Sequence, residues 1–269
     1  MVTSEKVYQG ISKEITENYF ARIPAPVTRS ELEETAEDFI NGFLNLPLEE
    51  KETFYCHVNN GGRGTDMGYV RRTREKDNED DKQYFHYHPR IRQVLAPQLK
   101  LHIPEVDDFL ERADHIYQAT SRSIGEIMKA LDTRNPGIYD KFFSDDQESN
   151  FVLRILGYDK KTEGQFLAAG HYDRGAYTIA LGENAPGLRM GKNKDYVKFV
   201  DHQEDSALFF KARQVVSGID DGFYPAWHDV IQKEDETYSD EIARWAIVCF
   251  IEPLKISMVT WEETHTPLV

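Results

Sequence analysis

The chain has 269 residues, 40% of them hydrophobic, and a formal net charge of −15. That length allows one large globular domain with a substantial core. The acidic balance, with no long Lys/Arg cluster, argues against a nucleic-acid partner, whose phosphates demand a basic surface.

Cys56 and Cys249 are the only cysteines. Two are too few for a disulfide framework or a Cys-rich zinc site, so a reducing, cytoplasmic setting is expected. The opening MVTSEKVYQG lacks the apolar segment of a signal peptide. The apolar run at 245–251, among the longest, is far too short to span a bilayer, so no membrane partner is expected.

The first third reads mainly as helix. Thr28 and Glu31 form a capping-box pattern. Leu32, Ala36, Phe39, Ile40, Phe43 and Leu44 follow at helical spacing, and Leu46-Pro47 should stop the helix. Residues 58–83 combine turn formers (NNGGRGTDMGY) with a charge run (TREKDNEDDK) and read as a long loop, a candidate lid. Pro104 opens a second, longer helix. Its apolar stripe runs from Val106 through Phe109, Ala113, Ile116, Ile124 and Met128 to Leu131, and it should end near Asn135-Pro136-Gly137. His115 lies beside that stripe as a packed or surface histidine.

From about residue 150 the texture changes to short apolar runs separated by Gly, Asn, Asp and Pro. Strands are predicted at 151–158, 164–172, 176–181, 196–200, 207–210, 213–216, 243–251 and 256–261. Such spacing suggests an antiparallel barrel or jelly roll behind the helices.

One His-x-Asp occurs, at His171-Tyr172-Asp173. In an extended strand, residues two apart point to the same side, so imidazole and carboxylate can face one cavity. A third histidine from a distant strand would complete the facial triad used by non-haem Fe(II) oxygenases. His228, flanked by Ala226-Trp227 and Val230-Ile231, has the sheltered setting such a ligand needs, or that of a satisfied core histidine. His202, in the run DHQEDS, forms a rival pair with Glu204 or sits in a solvated loop. Arg244 lies near the start of the apolar strand ARWAIVCF. A buried guanidinium there needs an anion, either an internal carboxylate or the far carboxylate of a dicarboxylic co-substrate.

Several segments, in this order, resemble the isopenicillin N synthase-like family of 2-oxoglutarate and Fe(II)-dependent oxygenases. HYDRGAYTIALGENAPGLRM at 171–190 resembles its His-x-Asp strand and Pro-Gly-Leu turn, and AWHDV at 226–230 its distal histidine segment. RWAIVCFIEP at 244–253 is similar to its co-substrate strand, and LRILGY at 153–158 to the strand that supplies a tyrosine. NGFLNLPLEEK at 41–51 and KQYFH at 82–86 match its upstream segments. The resemblance thus runs over most of the chain.

It implies a mixed α and β fold: a double-stranded β-helix (jelly-roll) barrel with N-terminal and flanking helices. Residues 1–269 would form a single oxygenase domain, with 1–145 mainly helical and 146–269 the jelly-roll core carrying the metal site. It implies Fe(II) held by His171, Asp173 and His228, with 2-oxoglutarate and O2 as co-substrates and hydroxylation of a small-molecule substrate as the default outcome. Arg244 and Tyr158 would take the far carboxylate of 2-oxoglutarate. Ala246 stands where the family's co-substrate site carries a serine, removing one hydroxyl donor. Leu156-Gly157-Tyr158-Asp159 replaces the usual Asn-Tyr-Tyr-Pro, and an acidic insertion spans 233–241.

Two further readings stay open: an Fe(II) oxidase of the same fold that does not use 2-oxoglutarate, and a non-catalytic jelly-roll binding module. Arg174 and Arg189 are read as substrate contacts or surface ion pairs, and His86 with His88 as a separate metal pair or simple packing. The sequence assigns no substrate and no oligomeric state.

Overall fold

The computed structural model describes residues 4–254 except 61–62, 73–80, 101, 147, 215–220 and 234–236. No described helix is long and apolar enough to cross a membrane.

The capping box forms as expected. Thr28 Oγ1 accepts from the Glu31 N–H at 3.3 Å, and the Thr28 N–H donates to Glu31 Oε2 at 2.7 Å. The helix Arg29–Glu37 continues through a π turn (Asp38–Gly42) and a 3₁₀ turn (Phe43–Asn45) and stops at Leu46, before Pro47. The second helix spans Pro104–Asp132 with proline in its first turn, where the missing N–H costs nothing. Beyond its end, Asp132 Oδ1 accepts from the Gly137 and Tyr139 N–H groups while Gly137 takes φ of 87°, so the chain reverses just past Pro136.

The described strands are β1 Ala21–Pro24, β2 Tyr55–Asn60, β3 Arg63–Arg72, β4 Lys82–Tyr87, β5 Asn150–Asp159, β6 Phe166–His171, β7 Tyr177–Glu183, β8 Leu188–Gly191, β9 Val197–Phe199, β10 Ser206–Lys211, β11 Trp227–Ile231 and β12 Ile242–Glu252. They form two antiparallel sheets: an eight-stranded one in the order β1-β10-β7-β12-β5-β4-β3-β2 and a four-stranded one in the order β6-β11-β8-β9.

The period of two along each central strand divides the interior. Phe151, Leu153 and Ile155 on β5, Tyr177 and Ile179 on β7, and Trp245, Ile247 and Cys249 on β12 pack in one core with the helices. The alternate residues, Leu156 and Tyr158, Ala180, and Ala246, join Leu188, Met190 and Val230 of the smaller sheet in a second cluster. A second, separate cluster thus fills part of the space between the sheets, and a cleft opens beside it.

Several expectations need correction. Residues 58–83 are not one long loop: β2 and β3 pair as a hairpin, and β4 joins that hairpin to β5. Among the turn formers, Gly68 has a φ of 77° that lets the chain pass where a Cβ would lie 1.6 Å from the Phe54 carbonyl oxygen; residues 61–62 lie outside the described residues. The charge run at 73–80 lies outside the described residues. β8 and β11 were not anticipated as strands, being short and interrupted by Arg189 and Asp229. Arg213 and Gln214 form no strand; their N–H groups donate to the Asp173 and Gly175 carbonyls. The predicted strand at 256–261 also lies outside the described residues, as does the rest of 213–216.

Candidate metal centre

β6 ends at His171, and β11 places His228 directly opposite it in register. Cross-strand partners approach closely in antiparallel pairs, and the two ring centroids lie 4.4 Å apart. Asp173 is not in the strand, contrary to the simple period-two argument. It follows the strand's end and is brought back into the cleft by Thr178 on β7, whose hydroxyl donates to Asp173 Oδ2 at 2.7 Å.

The remaining oxygen, Oδ1, lies 3.5 Å from His171 Nε2 and 3.6 Å from His228 Nε2. The ligand atoms all fall within 4.8 Å of one another, a spacing one metal ion can span. Both imidazoles are oriented alike. His171 Nδ1 lies 2.8 Å from the Ala169 carbonyl oxygen and His228 Nδ1 lies 3.2 Å from that of Ala226. A carbonyl only accepts, so Nδ1 carries the proton in each ring and Nε2 presents a lone pair. Asp173 and His228 are buried, while His171 opens to solvent. Burial favours the neutral Asp173 carboxyl, but the adjacent His228 and His171 imidazoles, whenever they are protonated, and the Thr178 hydroxyl outweigh it and hold the group well below the usual carboxylate range. Burial pulls His228 below the ordinary imidazole value, against the opposing charge of Asp173. Two neutral nitrogens and one carboxylate oxygen on one side of an open cleft fit a divalent ion such as Fe(II).

The cleft runs from this cluster to Arg244. Tyr158 and Ala246 line it. Arg244 is buried, and its Nη2 is ion-paired with Glu183 Oε2. Its Nε and Nη1 are also buried and find no acceptor among the described residues. Orphaned buried donors are costly, and they fit an incoming carboxylate.

Sequence reasoning missed Glu183, Lys82 and Arg154 here and misplaced His202. Glu183 answers the question left open at Arg244 with an internal partner. The His202 imidazole is buried rather than solvated; its Nε2 donates to the Ala180 carbonyl at 3.1 Å, and Nδ1 faces Glu183 at 3.5 Å. Lys82 is buried on the cleft wall, its ammonium 5.7 Å from the Tyr158 ring. Arg154 lines the cleft from β5. A lone charge within the apolar run FVLRILGY carries the same signal that singled out Arg244.

The other candidates fall elsewhere. Arg189 pairs bidentately with Asp229 at 2.7 and 2.8 Å, and Arg174 is exposed outside the cleft. Glu204 is exposed. His86 and His88 have separate partners: His86 Nδ1 donates to the Asp66 carbonyl at 2.6 Å, and His88 Nε2 to that of Ser149 at 3.0 Å. His115 is at the surface beside Glu31.

No family model matches the sequence, and no curated protein matches it significantly. Solved structures do match. One is a dioxygenase for auxin oxidation from Arabidopsis thaliana bound to 2-oxoglutarate, at a TM-score of 0.69 and 18% identity, covering 94% of this chain and 90% of that one. A putative 2OG-Fe(II) oxygenase family protein from Caulobacter crescentus matches at 0.68 and 18%, covering 97% and 88%. A putative oxygenase from Shewanella oneidensis matches at 0.60 and 19%, covering 96% and 93%. The fold is the one these oxygenases share. At such identity the likeness carries the architecture, and function has to be argued from the site.

Proposed function

We propose that this protein is a 2-oxoglutarate and Fe(II)-dependent oxygenase acting on a small molecule. One observation carries the reading: an oriented His171, Asp173 and His228 cluster shares a cleft with a buried arginine that has two unsatisfied donors. The two facing sheets would be the halves of a jelly roll, and residues 1–269 one functional unit. A shared core supports this, since the N-terminal helices and the large sheet pack together.

In this reading His171, Asp173 and His228 hold Fe(II). Arg244 takes the far carboxylate of 2-oxoglutarate, with Tyr158 beside it and Ala246 giving room where a hydroxyl would otherwise donate. When bound, the metal and co-substrate supply O2-dependent oxidation of a C–H bond, coupled to decarboxylation of 2-oxoglutarate to succinate. The chain's own contribution is orientation and shielding. Thr178 and the backbone carbonyls of Ala169 and Ala226 keep the three ligands aimed, and the apolar walls exclude water. Neighbouring structures bound to thymine or JA support a small-molecule substrate. The two free cysteines suit a reducing, cytosolic setting.

The test is anaerobic Fe(II) titration followed by turnover with carboxyl-labelled 2-oxoglutarate. Uptake of one Fe(II), with release of labelled CO2 and succinate, is expected, and both are lost in His171→Ala and His228→Ala. Iron uptake with O2 consumption but no succinate would move the assignment to an oxidase that does not use 2-oxoglutarate. No iron uptake would end the oxygenase reading.

A further inference from the structure

We propose that Arg154 is the residue that binds the primary substrate, and that the substrate is a small organic acid presenting its carboxylate there. The idea rests on the oxygenase reading, which leaves this cation without a task. Arg154 lines the same cleft as the histidine–aspartate cluster. Its guanidinium is clamped between the rings of Tyr84 and Phe250, with Cζ 4.5 Å from each centroid. Its Nε–H donates to His86 Nε2 at 2.8 Å. His86 in turn donates from Nδ1 to the Asp66 carbonyl, which makes Nε2 an acceptor. The side chain is thus held from three sides, and its two terminal nitrogens are left as a fork. Among the described residues no carboxylate pairs with it.

A guanidinium in such a place usually has an anionic partner. Arg244 has Glu183; among the described residues Arg154 contacts aromatic faces and a neutral imidazole, with the Asp173 charge acting on it from the metal cluster without an ion pair. The two arginines also serve different ends of the cleft. Arg154 pairs in register with Val248 on β12, four residues along from Arg244, which is roughly 13 Å at about 3.3 Å per residue. Thr178, which holds Asp173, is opposite Phe250, beside the Arg154 end. With 2-oxoglutarate anchored at Arg244, and Lys82 at that same end opposite Tyr158, Arg154 is the cleft cation at the metal-ligand end for a second ligand. A planar fork matches a carboxylate bidentately, and Leu156, Phe210, Val248 and Phe250 offer apolar walls for the rest of such an acid.

The experiment is calorimetric titration of the full chain, loaded with Mn(II) as a redox-inert metal and saturated with 2-oxoglutarate. The probes are hexanoate, decanoate, phenylacetate and 3-phenylpropionate, each against its primary amide. At least one acid should bind about tenfold or more tightly than its amide, the scale of one charge-assisted bidentate contact. Arg154→Gln should erase that preference without changing 2-oxoglutarate affinity, and Arg154→Lys should retain part of it. Thermal melts establish that both variants are folded, and the lysine variant keeps the test alive if glutamine unfolds the chain. The proposal is overturned if no acid outbinds its amide, or if Arg154→Gln keeps the preference. Mn(II) and 2-oxoglutarate titrations run first. Their failure counts against the oxygenase reading, and the acid titrations on the unloaded chain then judge Arg154 separately.

Discussion

The Thr178 hydroxyl sits on Asp173 Oδ2 at 2.7 Å, so the carboxylate meets both imidazoles through Oδ1 alone. This one bond replaces the strand geometry that Asp173 lacks. Thr178→Val preserves the shape of a buried β7 residue but frees the carboxylate to rotate. Metal affinity should fall about tenfold or more, as it does when a hydrogen-bond partner of a metal ligand is removed. Calorimetry with Mn(II) checks this. Unchanged affinity in a folded variant would mean that Thr178 does not position Asp173.

Glu183 is the ion-pair partner of Arg244. Glu183→Gln removes the charge and leaves a buried arginine unpaired, a change that costs about 3–5 kcal/mol when nothing replaces the partner. A dicarboxylate entering the cleft replaces it. The variant should therefore melt lower than the parent when ligand-free and gain more from saturating 2-oxoglutarate. Thermal melts with and without 2-oxoglutarate read both effects. An equal gain in the two proteins would separate Glu183 from the co-substrate site.

His86 and His88 are buried neutral, each donating from one ring nitrogen and accepting at the other, His88 Nδ1 from the Arg90 N–H. Burial pulls both below the ordinary imidazole value, His86 far below, with the charge of Arg154 adding to the effect there. Because the folded values are depressed, the unfolded chain takes up protons first as pH falls. The stability contributed is fully present above about pH 6.5 and is lost below it, at up to about 1.4 kcal/mol per pH unit for each histidine. Urea midpoints should drop between pH 7.5 and 5.5, with a shallower drop in His88→Asn. A flat profile would contradict the neutral assignment.

The helices were legible because their signals are local. Thr28 with Glu31, Pro104, and the stripe from Val106 to Leu131 need nothing from the rest of the chain. β5, β7 and β12 were legible as long apolar runs. β8 and β11 were not, because each is short and gives up its middle to Arg189 and Asp229, a charge pair that only the folded sheet brings together. The convergence of His171, Asp173 and His228 was expected from spacing and resemblance. Glu183 could not be foreseen as Arg244's partner, since the pairing joins positions 61 residues apart on neighbouring strands. Arg154 could have been found by the argument applied to Arg244, because both interrupt an apolar strand.

Gly170 supports the cluster from behind. A Cβ there would lie 2.5–2.8 Å from the Trp227 indole, and Trp227 precedes His228 on β11. The indole is large and its neighbour Tyr172 packs against it edge-on at 5.0 Å, so it cannot retreat freely. Gly170→Ala should push the β6–β11 pair apart at its metal-binding end. Overpacking of this kind costs about 1–3 kcal/mol. Metal affinity should fall as well, because His228 moves with Trp227. Gly10→Ala is the matched control. It lies exposed in the helix Ser4–Asn18 with nothing within 4 Å of its Cβ, so it should gain about 0.5–1 kcal/mol and leave metal binding alone. Urea unfolding and Mn(II) calorimetry on the two variants separate a local wedge at the metal cluster from a general effect of adding a methyl group. If Gly170→Ala binds Mn(II) as tightly as the parent, the indole has room that the packing around Trp227 does not suggest.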